Sequence, residues 1–423
     1  MISQHTLQNG LTVILKEVHS APVISMWTAY RVGSRNEQTG QTGISHWVEH
    51  MLFKGTAQYP VGVLDRLIDR VGGQWNAYTD SDFTMYYETL PAEHIDLALS
   101  AEADRMVNAL FDPEEVEHER TVIISERQGA ENSPVFWLRE ELRAAAFRVH
   151  GYHHTILGDM ADLHTISRDD LYSHYKRYYA PSNAVLVLVG AFDSAGMLKK
   201  VEATFGAIPA GTPPLCFCRA EPPQQGERRA HVERPGTTAF AVIAHRAPPA
   251  THPDWFALDM LDSILTGPGG ELDNKTSRLY SALVKDEIAV NVGGGLSESI
   301  DPYLHSISVT LRDGRTHAEA EAAILREIER IQQEGVSAAE LARARKQARA
   351  VFAYETESVT NQAYWIAQSA MLGDLDWYER YLERLDAITP DDIQVVAQTY
   401  LQRQNRVVGW LIPTGLADTE ADE

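Results

Sequence analysis

Cysteine is almost missing from this chain: its 423 residues contain two, Cys216 and Cys218, separated by one residue. That excludes a disulfide framework, and it is not the CxxC pairing of a structural zinc site. The two thiols read as incidental linker residues. Long apolar runs are also missing. The longest candidate, "AVLVLVGAF" at 184–192, falls well short of the roughly 18 residues a membrane helix needs, so no membrane partner is expected. Positive charge is scarce. The 37 Lys and Arg against 59 Asp and Glu leave a net charge of −22, which argues against nucleic acid, whose phosphates would be repelled. Basic or unfolded peptides remain compatible ligands. The start, "MISQHTLQNGLTVILKE", lacks the basic region, apolar stretch and cleavage site of a signal peptide, which makes the cytoplasm the default expectation.

What is present is an ordinary globular composition, with 44% hydrophobic and 23% charged residues, at a length suited to two domains. An internal repeat supports two domains. Residues 163–183, "LHTISRDDLYSHYKRYYAPSN", and 385–405, "LDAITPDDIQVVAQTYLQRQN", share Leu163/Leu385, Ile166/Ile388, Asp169/Asp391, Asp170/Asp392, Tyr178/Tyr400 and Asn183/Asn405 at a constant offset of 222. Ser167 and Thr389 each stand three residues before an Asp, a helix start resembling a capping box, and each helix leads into an apolar strand. Prolines at 209, 213, 214, 222, 223 and 235 suggest an extended linker. The expected division is an N-terminal domain over 1–205, a linker over 206–236 and a C-terminal repeat domain over 237–423. "GGQWNAYTDSDFTMYYETL" (72–90) reads as two strands around a turn at Asp80–Asp82, whereas 112–132 and 317–335 read as helices. The fold class expected is α+β: two homologous domains, each a largely antiparallel sheet packed with helices, joined by a Pro-rich linker.

The chemistry concentrates in "GISHWVEHMLFKGT" (43–56). Ile44, Trp47, Val48 and Met51 form one helical stripe, and His46, Glu49 and His50 fall on the opposite side. Gly55 offers a helix stop. Two imidazoles four residues apart can bind one Zn²⁺ at about 2.0–2.1 Å, with Glu49 placed to take a proton from water. The competing reading is a solvated helix face. A catalytic zinc needs a third protein ligand and an open position. In "EHERTVIISERQ", Glu119 and Glu126 are seven residues apart on one face, and Val122, Ile123 and Ile124 suggest a buried helix, where unpaired carboxylates are costly. Glu126 as ligand and Glu119 as the acid that orients a histidine or the water fit that need. A surface charge cluster with Glu114, Glu115 and Glu117 fits the same spacing. The histidines of "VHGYHH" (149–154) and the glycines of "TGPGG" (266–270) and "VGGGL" (292–296) read as incidental residues and as turns, respectively.

Together with "ERTVIISERQGAENSP", "YYAPSNAVLVLVGAFD", "TSRLYSALV" and "ITPDDIQVVAQTYL", these stretches resemble the pitrilysin-type inverzincin zinc metallopeptidases. Within them the chain is similar to the half-length branch that includes mitochondrial processing peptidase. In that family H-x-x-E-H and a glutamate about 75 residues later form the zinc site. Glu126 follows His50 by 76 residues. The resemblance implies His46, His50 and Glu126 as Zn²⁺ ligands, Glu49 as general base and Glu119 as supporting acid. It also implies an edge strand at "GGQWNAYT", where Asn76 and Ala77 would pair with an extended substrate. From its residue type alone, Asn76 also reads as a turn residue.

The activity implied is a zinc endopeptidase acting on extended or unfolded peptides inside a chamber. The second half carries no H-x-x-E-H around "FALDMLDSILTG" (256–267), so one half does the chemistry. The opposing half of the family supplies an Arg and a Tyr from a stretch resembling "LREKRGLAY". Here "LVKDEIAV" (283–290) has Val284 and Val290 at those positions, and neither can donate a hydrogen bond. The expected partner is therefore a homologous metal-free subunit, with a homodimer relying on Lys285 as the fallback. The alternatives are a non-catalytic scaffold subunit of the same fold and a metal hydrolase of another substrate.

Overall fold

A continuous apolar run bounded by turns predicts a strand covered on both faces, and the centre of the first sheet is built from two such runs. In the computed structural model, which describes residues 2–212, 219–269 and 274–415, every residue of Ala184–Gly190 is buried. The neighbouring Val23–Tyr30 is buried almost throughout. This sheet comprises β1 (Ile2–Thr6), β2 (Thr12–Glu17), β3 (Val23–Tyr30), β4 (Gln74–Thr79), β5 (Thr84–Pro91) and β6 (Ala184–Gly190), in the order β1-β2-β6-β3-β5-β4. The second sheet comprises β7 (Arg228–Arg234), β8 (Phe240–Arg246), β9 (Ala289–Leu296), β10 (Leu304–Leu311) and β11 (Arg406–Pro413), in the order β7-β11-β8-β10-β9.

Without β1, the two orders are the same. One parallel pair stands in each sheet, β2/β6 and β7/β11, and all other neighbours are antiparallel. The repeat read from the sequence sits at equivalent places in both. Ser167 and Asp170 form a capping box, as do Thr389 and Asp392. Asn183 Nδ2 donates to the Tyr178 carbonyl at 2.8 Å, and Asn405 Nδ2 to the Tyr400 carbonyl at 3.2 Å. In both copies the same amide thus ties the helix end to the strand that follows, which is why Tyr and Asn recur together.

The chain divides into two compact units. One holds residues 1–128, 150–219 and 355–378, the other 129–149, 220–354 and 379–423. The contiguous division at 1–205, 206–236 and 237–423 is thereby amended: each sheet takes a helix from the other half of the sequence. Pro134–Ala146 packs on β7 and β11, and Val359–Leu372 packs on β3 and β6. An amphipathic period shows that a helix is half-buried but not which sheet buries it. The expected linker is shorter than 206–236, because β7 occupies 228–234 in parallel with β11. Cys216 and Cys218 lie outside the described residues. "VGGGL" is also corrected: it lies within β9, not in a turn.

Candidate metal centre

The motif helix spans Ile44–Met51, and its expected stripe of Ile44, Trp47, Val48 and Met51 is fully inside the core. It ends at Met51, before Gly55. Its N-terminus begins after Gly43, whose φ of 86° is left-handed, a region that favours glycine. The orphan N–H groups of the first turn find an acceptor outside the helix. Glu37 accepts from the backbone N–H of Gly43 and of Ser45, both at 2.8 Å, and His154 Nε2 lies 2.9 Å from the same carboxylate. An acid at a helix N-terminus also meets the positive end of the dipole. Sequence spacing did not reveal this anchor, because Glu37 and His154 are 117 residues apart.

The second helix, Pro113–Glu131, brings the two glutamates alongside. Its burial is one-sided. Glu119 and Ile123 are inside, while Val122 and Glu126 are exposed, so the expectation of a buried helix holds for one face only. The residues after each glutamate explain its placement. Arg120 donates to the carbonyls of Leu163 and Ile166 at 2.5 and 2.9 Å, and Arg127 to that of Gly158 at 2.5 Å. Two arginines one heptad apart thus clamp the helix to residues 158–166 and turn Glu119 and Glu126 towards the motif helix.

The resulting geometry is compact. His46 Nε2 and His50 Nε2 are 3.2 Å apart, and Glu126 Oε2 lies 3.8 Å from the first and 3.6 Å from the second. Three ligands on a tetrahedral zinc with bonds of about 2.0–2.1 Å would stand about 3.3 Å from one another. The trio therefore fits a metal ion. Among the described residues it is the only group of three or more His, Cys, Asp or Glu with donor atoms this close. His50 Nδ1 donates to Glu119 Oε1 at 2.7 Å, which leaves the Nε2 lone pair towards the cluster. Lys54 Nζ reaches the other Glu119 oxygen at 2.5 Å. Sequence spacing could have found Lys54, which stands four residues after His50. His46 Nδ1 is buried with no hydrogen-bond partner among the described residues.

The electrostatics separate the groups by role. Burial, with His50 adjacent, pushes His46 down to about 4, so its imidazole is neutral at ordinary pH. For His50 burial acts in the same direction but is outweighed, first by the bond to Glu119, and the ring is raised. Burial opposes ionisation of Glu119 too, yet His50 and Lys54 hold it below the usual carboxylate range. Glu49 is raised, mainly by burial, while Thr79 Oγ1 donates to its Oε2 at 2.6 Å and partly offsets that. A carboxylate with raised proton affinity beside this trio is suited to accept a proton.

Thr79 closes β4, so the same strand links Glu49 to the edge of the sheet. Asn76 and Ala77 lie in this edge strand, opposite Tyr87 and Tyr86 of β5, which rules out the turn reading of Asn76. The Ala77 N–H is capped by Asn76 Oδ1 at 2.9 Å, so the outer edge offers a backbone donor held by a displaceable side chain. In "VHGYHH", His150 Nδ1 accepts from the Tyr152 N–H and His153 Nδ1 lies 2.9 Å from the His150 carbonyl. These histidines serve local structure and the Glu37 anchor.

Comparison with known proteins agrees with this frame. Residues 12–160 match the family described as insulinase (peptidase family M16), and residues 165–348 match the peptidase M16 inactive domain. The chain is 29% identical over 418 residues to the zinc protease PqqE of Helicobacter pylori, covering 96% of this chain and 92% of that protein. It is 27% identical over 409 residues to the beta subunit of mitochondrial-processing peptidase from Lentinula edodes, covering 94% of this chain and 86% of the other. A crystal structure of a protease from Helicobacter pylori superposes with a TM-score of 0.93 at 27% identity, covering 98% of this chain and 99% of that one. Matched by two successive domains and along nearly its whole length, the chain belongs to peptidase family M16, as a half-length member.

Proposed function

We propose that the protein is a zinc metalloendopeptidase that hydrolyses extended or unfolded peptides. One observation carries this reading: donor atoms of His46, His50 and Glu126 converge within 4.8 Å, where Pro113–Glu131 brings Glu126 against the helix that holds both histidines and the buried Glu49. The similarity to proteins named as zinc proteases supports the choice of metal. Bound zinc would supply a Lewis acid that polarises the scissile carbonyl and lowers the pKa of water. His46, His50 and Glu126 hold it, and Glu119 fixes the tautomer and direction of His50. Glu49 takes the proton of the attacking water and delivers it to the leaving amine, with Thr79 fixing its carboxylate. An extended peptide pairs with the outer edge of β4 through backbone hydrogen bonds, displacing Asn76 Oδ1 from the Ala77 N–H.

The working enzyme pairs with a homologous, metal-free subunit that supplies an Arg and a Tyr. Val284 and Val290 support this, because a second copy of the chain brings no donor at either position. Val290 is a 64% exposed apolar residue on β9. The same valines favour a second reading, a non-catalytic scaffold subunit. Zinc titration together with cleavage of an unfolded reporter peptide, with and without a homologous partner chain, separates the two. A peptidase binds one zinc per chain and gains turnover with the partner. A scaffold gives no zinc-dependent cleavage in either condition.

A further inference from the structure

A cavity of about 310 Å³ opens in the second unit, away from any residue assigned above. Its floor is the face of β10 that carries Leu304, Ser306 and Ser308, because alternate residues of a strand share a face. Its wall is the helix Pro134–Ala146, which contributes Leu142 and two arginines, Arg139 and Arg143, one turn apart. Neither guanidinium makes a hydrogen bond or ion pair with any described residue. In a chain with 59 acidic and 37 basic side chains, two arginines that face a cavity without a carboxylate leave a concentrated positive site.

The outer rim is β9, the edge of the sheet, with Gly293 opposite Ser308 and Gly295 opposite Ser306. Gly294 is explained by packing, since a Cβ there would collide with Thr266 and Asp262 at 2.5–2.6 Å. Gly295 is not. Its Cβ would meet nothing within 4 Å, and the Cβ of Gly293 would meet only Ser308 Oγ at 3.9 Å. Neither residue has a positive φ. Glycine weakens a strand relative to alanine, and an unforced glycine often marks a bulge, a bend, or a place where a ligand or another backbone approaches closely; the register shift between β9 and β10 lies at Thr310/Leu311, away from both glycines.

We propose that this pocket binds a carboxylate carried on an aliphatic stem, such as the C-terminus or an acidic side chain of a peptide. Arg139 and Arg143 grip the carboxylate through forked, charge-assisted hydrogen bonds. Ser306 adds a hydroxyl donor, and Leu142 and Leu304 cover the stem. The bare backbone at Gly293 and Gly295 gives the rest of the chain room to enter. The pocket goes beyond the peptidase reading and is independent of it, because its ligand is held without metal or turnover.

The test uses the full chain stripped of metal by a chelator, with binding followed by calorimetry. The probes are an N-acetylated hexapeptide of alanine and leucine with a free C-terminus, its C-terminal amide, and the amide with one glutamate. The free acid and the glutamate peptide are expected to bind about tenfold or more tightly than the plain amide. Arg139→Gln and Arg143→Gln should each lose about tenfold in affinity for them. Gly295→Val should abolish binding while its thermal midpoint stays at or above that of the parent, because a β-branched residue suits an open strand position. The proposal is overturned if acid and amide bind alike, if these variants bind as the parent does, or if inorganic phosphate displaces the peptide more strongly than propionate does.

Discussion

Replacing Glu119 by glutamine tests how far the proposed zinc site depends on a residue outside its trio of ligands. The residue is 3% exposed; its Oε1 accepts from His50 Nδ1 at 2.7 Å, and its Oε2 is ion-paired with Lys54 Nζ at 2.5 Å. Glutamine keeps the shape but offers one acceptor and one amino group. One of the two partners must then face a donor, and the remaining bond loses its charge. Loss of one charge-assisted hydrogen bond costs about 1.5–3 kcal/mol. Part of that falls on folding, because Lys54 is left with its charge uncompensated. The rest falls on the metal, because His50 is no longer held in the tautomer that directs Nε2 at the cluster. Supporting bonds of this kind are worth about 10–100-fold in metal affinity, which is about 1.4–2.7 kcal/mol. Competition against a chromophoric chelator measures the zinc dissociation constant directly, and denaturant unfolding of the metal-free chain measures the folding part. A zinc affinity within about twofold of the parent would refute the role given to Glu119.

Glu126→Gln should weaken zinc more than Glu119→Gln does, because a ligand is removed; in the same competition assay, equal losses would overturn the distinction between them. Glu88 is buried with Glu102 around Arg105, and burial with Glu102 nearby raises it well above the usual range. Its folded pKa therefore exceeds its unfolded one, so the native state binds the extra proton. That stabilisation is fully present below the unfolded value and is lost as pH rises through the folded value. Glu88→Gln, whose amide replaces the protonated acid, should flatten the loss on the alkaline side in denaturant unfolding; identical pH slopes would contradict this. Gly158→Ala should destabilise by about 3 kcal/mol, since φ is 71° and a Cβ would lie 2.2 Å from the Thr42 carbonyl, next to the start of the motif helix. A denaturation midpoint unchanged from the parent would refute that account.

Local patterns were legible in the sequence wherever the physics is local. The stripe of Ile44, Trp47, Val48 and Met51 set the buried side of the motif helix and therefore the side on which His46, Glu49 and His50 stand. The two capping boxes fall at the expected residues because side-chain-to-backbone bonds three residues apart decide them, and the turn at Asp80–Asp82 does so because Asp80 Oδ1 accepts from the Asp82 N–H two residues on. Long-range choices were not legible. No spacing shows that Pro134–Ala146 packs on β7 and β11, or that Glu37 caps the motif helix. "VGGGL" reads as a turn because glycine disfavours strands, yet pairing with β10 outweighs that preference. The apolar triplet at 122–124 overstated burial, since consecutive helical residues point in different directions. Arg120 and Arg127, which aim the two glutamates, carry no signal beyond ordinary surface charge.

Glu49→Gln, compared with the parent at equal zinc occupancy in cleavage of an unfolded reporter peptide, tests the proposed activity most directly. The amide keeps the shape and the hydrogen bond from Thr79 but cannot take a proton from water. The account predicts one zinc per chain in both proteins and turnover reduced by about 10²–10⁴-fold in the variant. A variant that binds zinc and cleaves at the parental rate would contradict it.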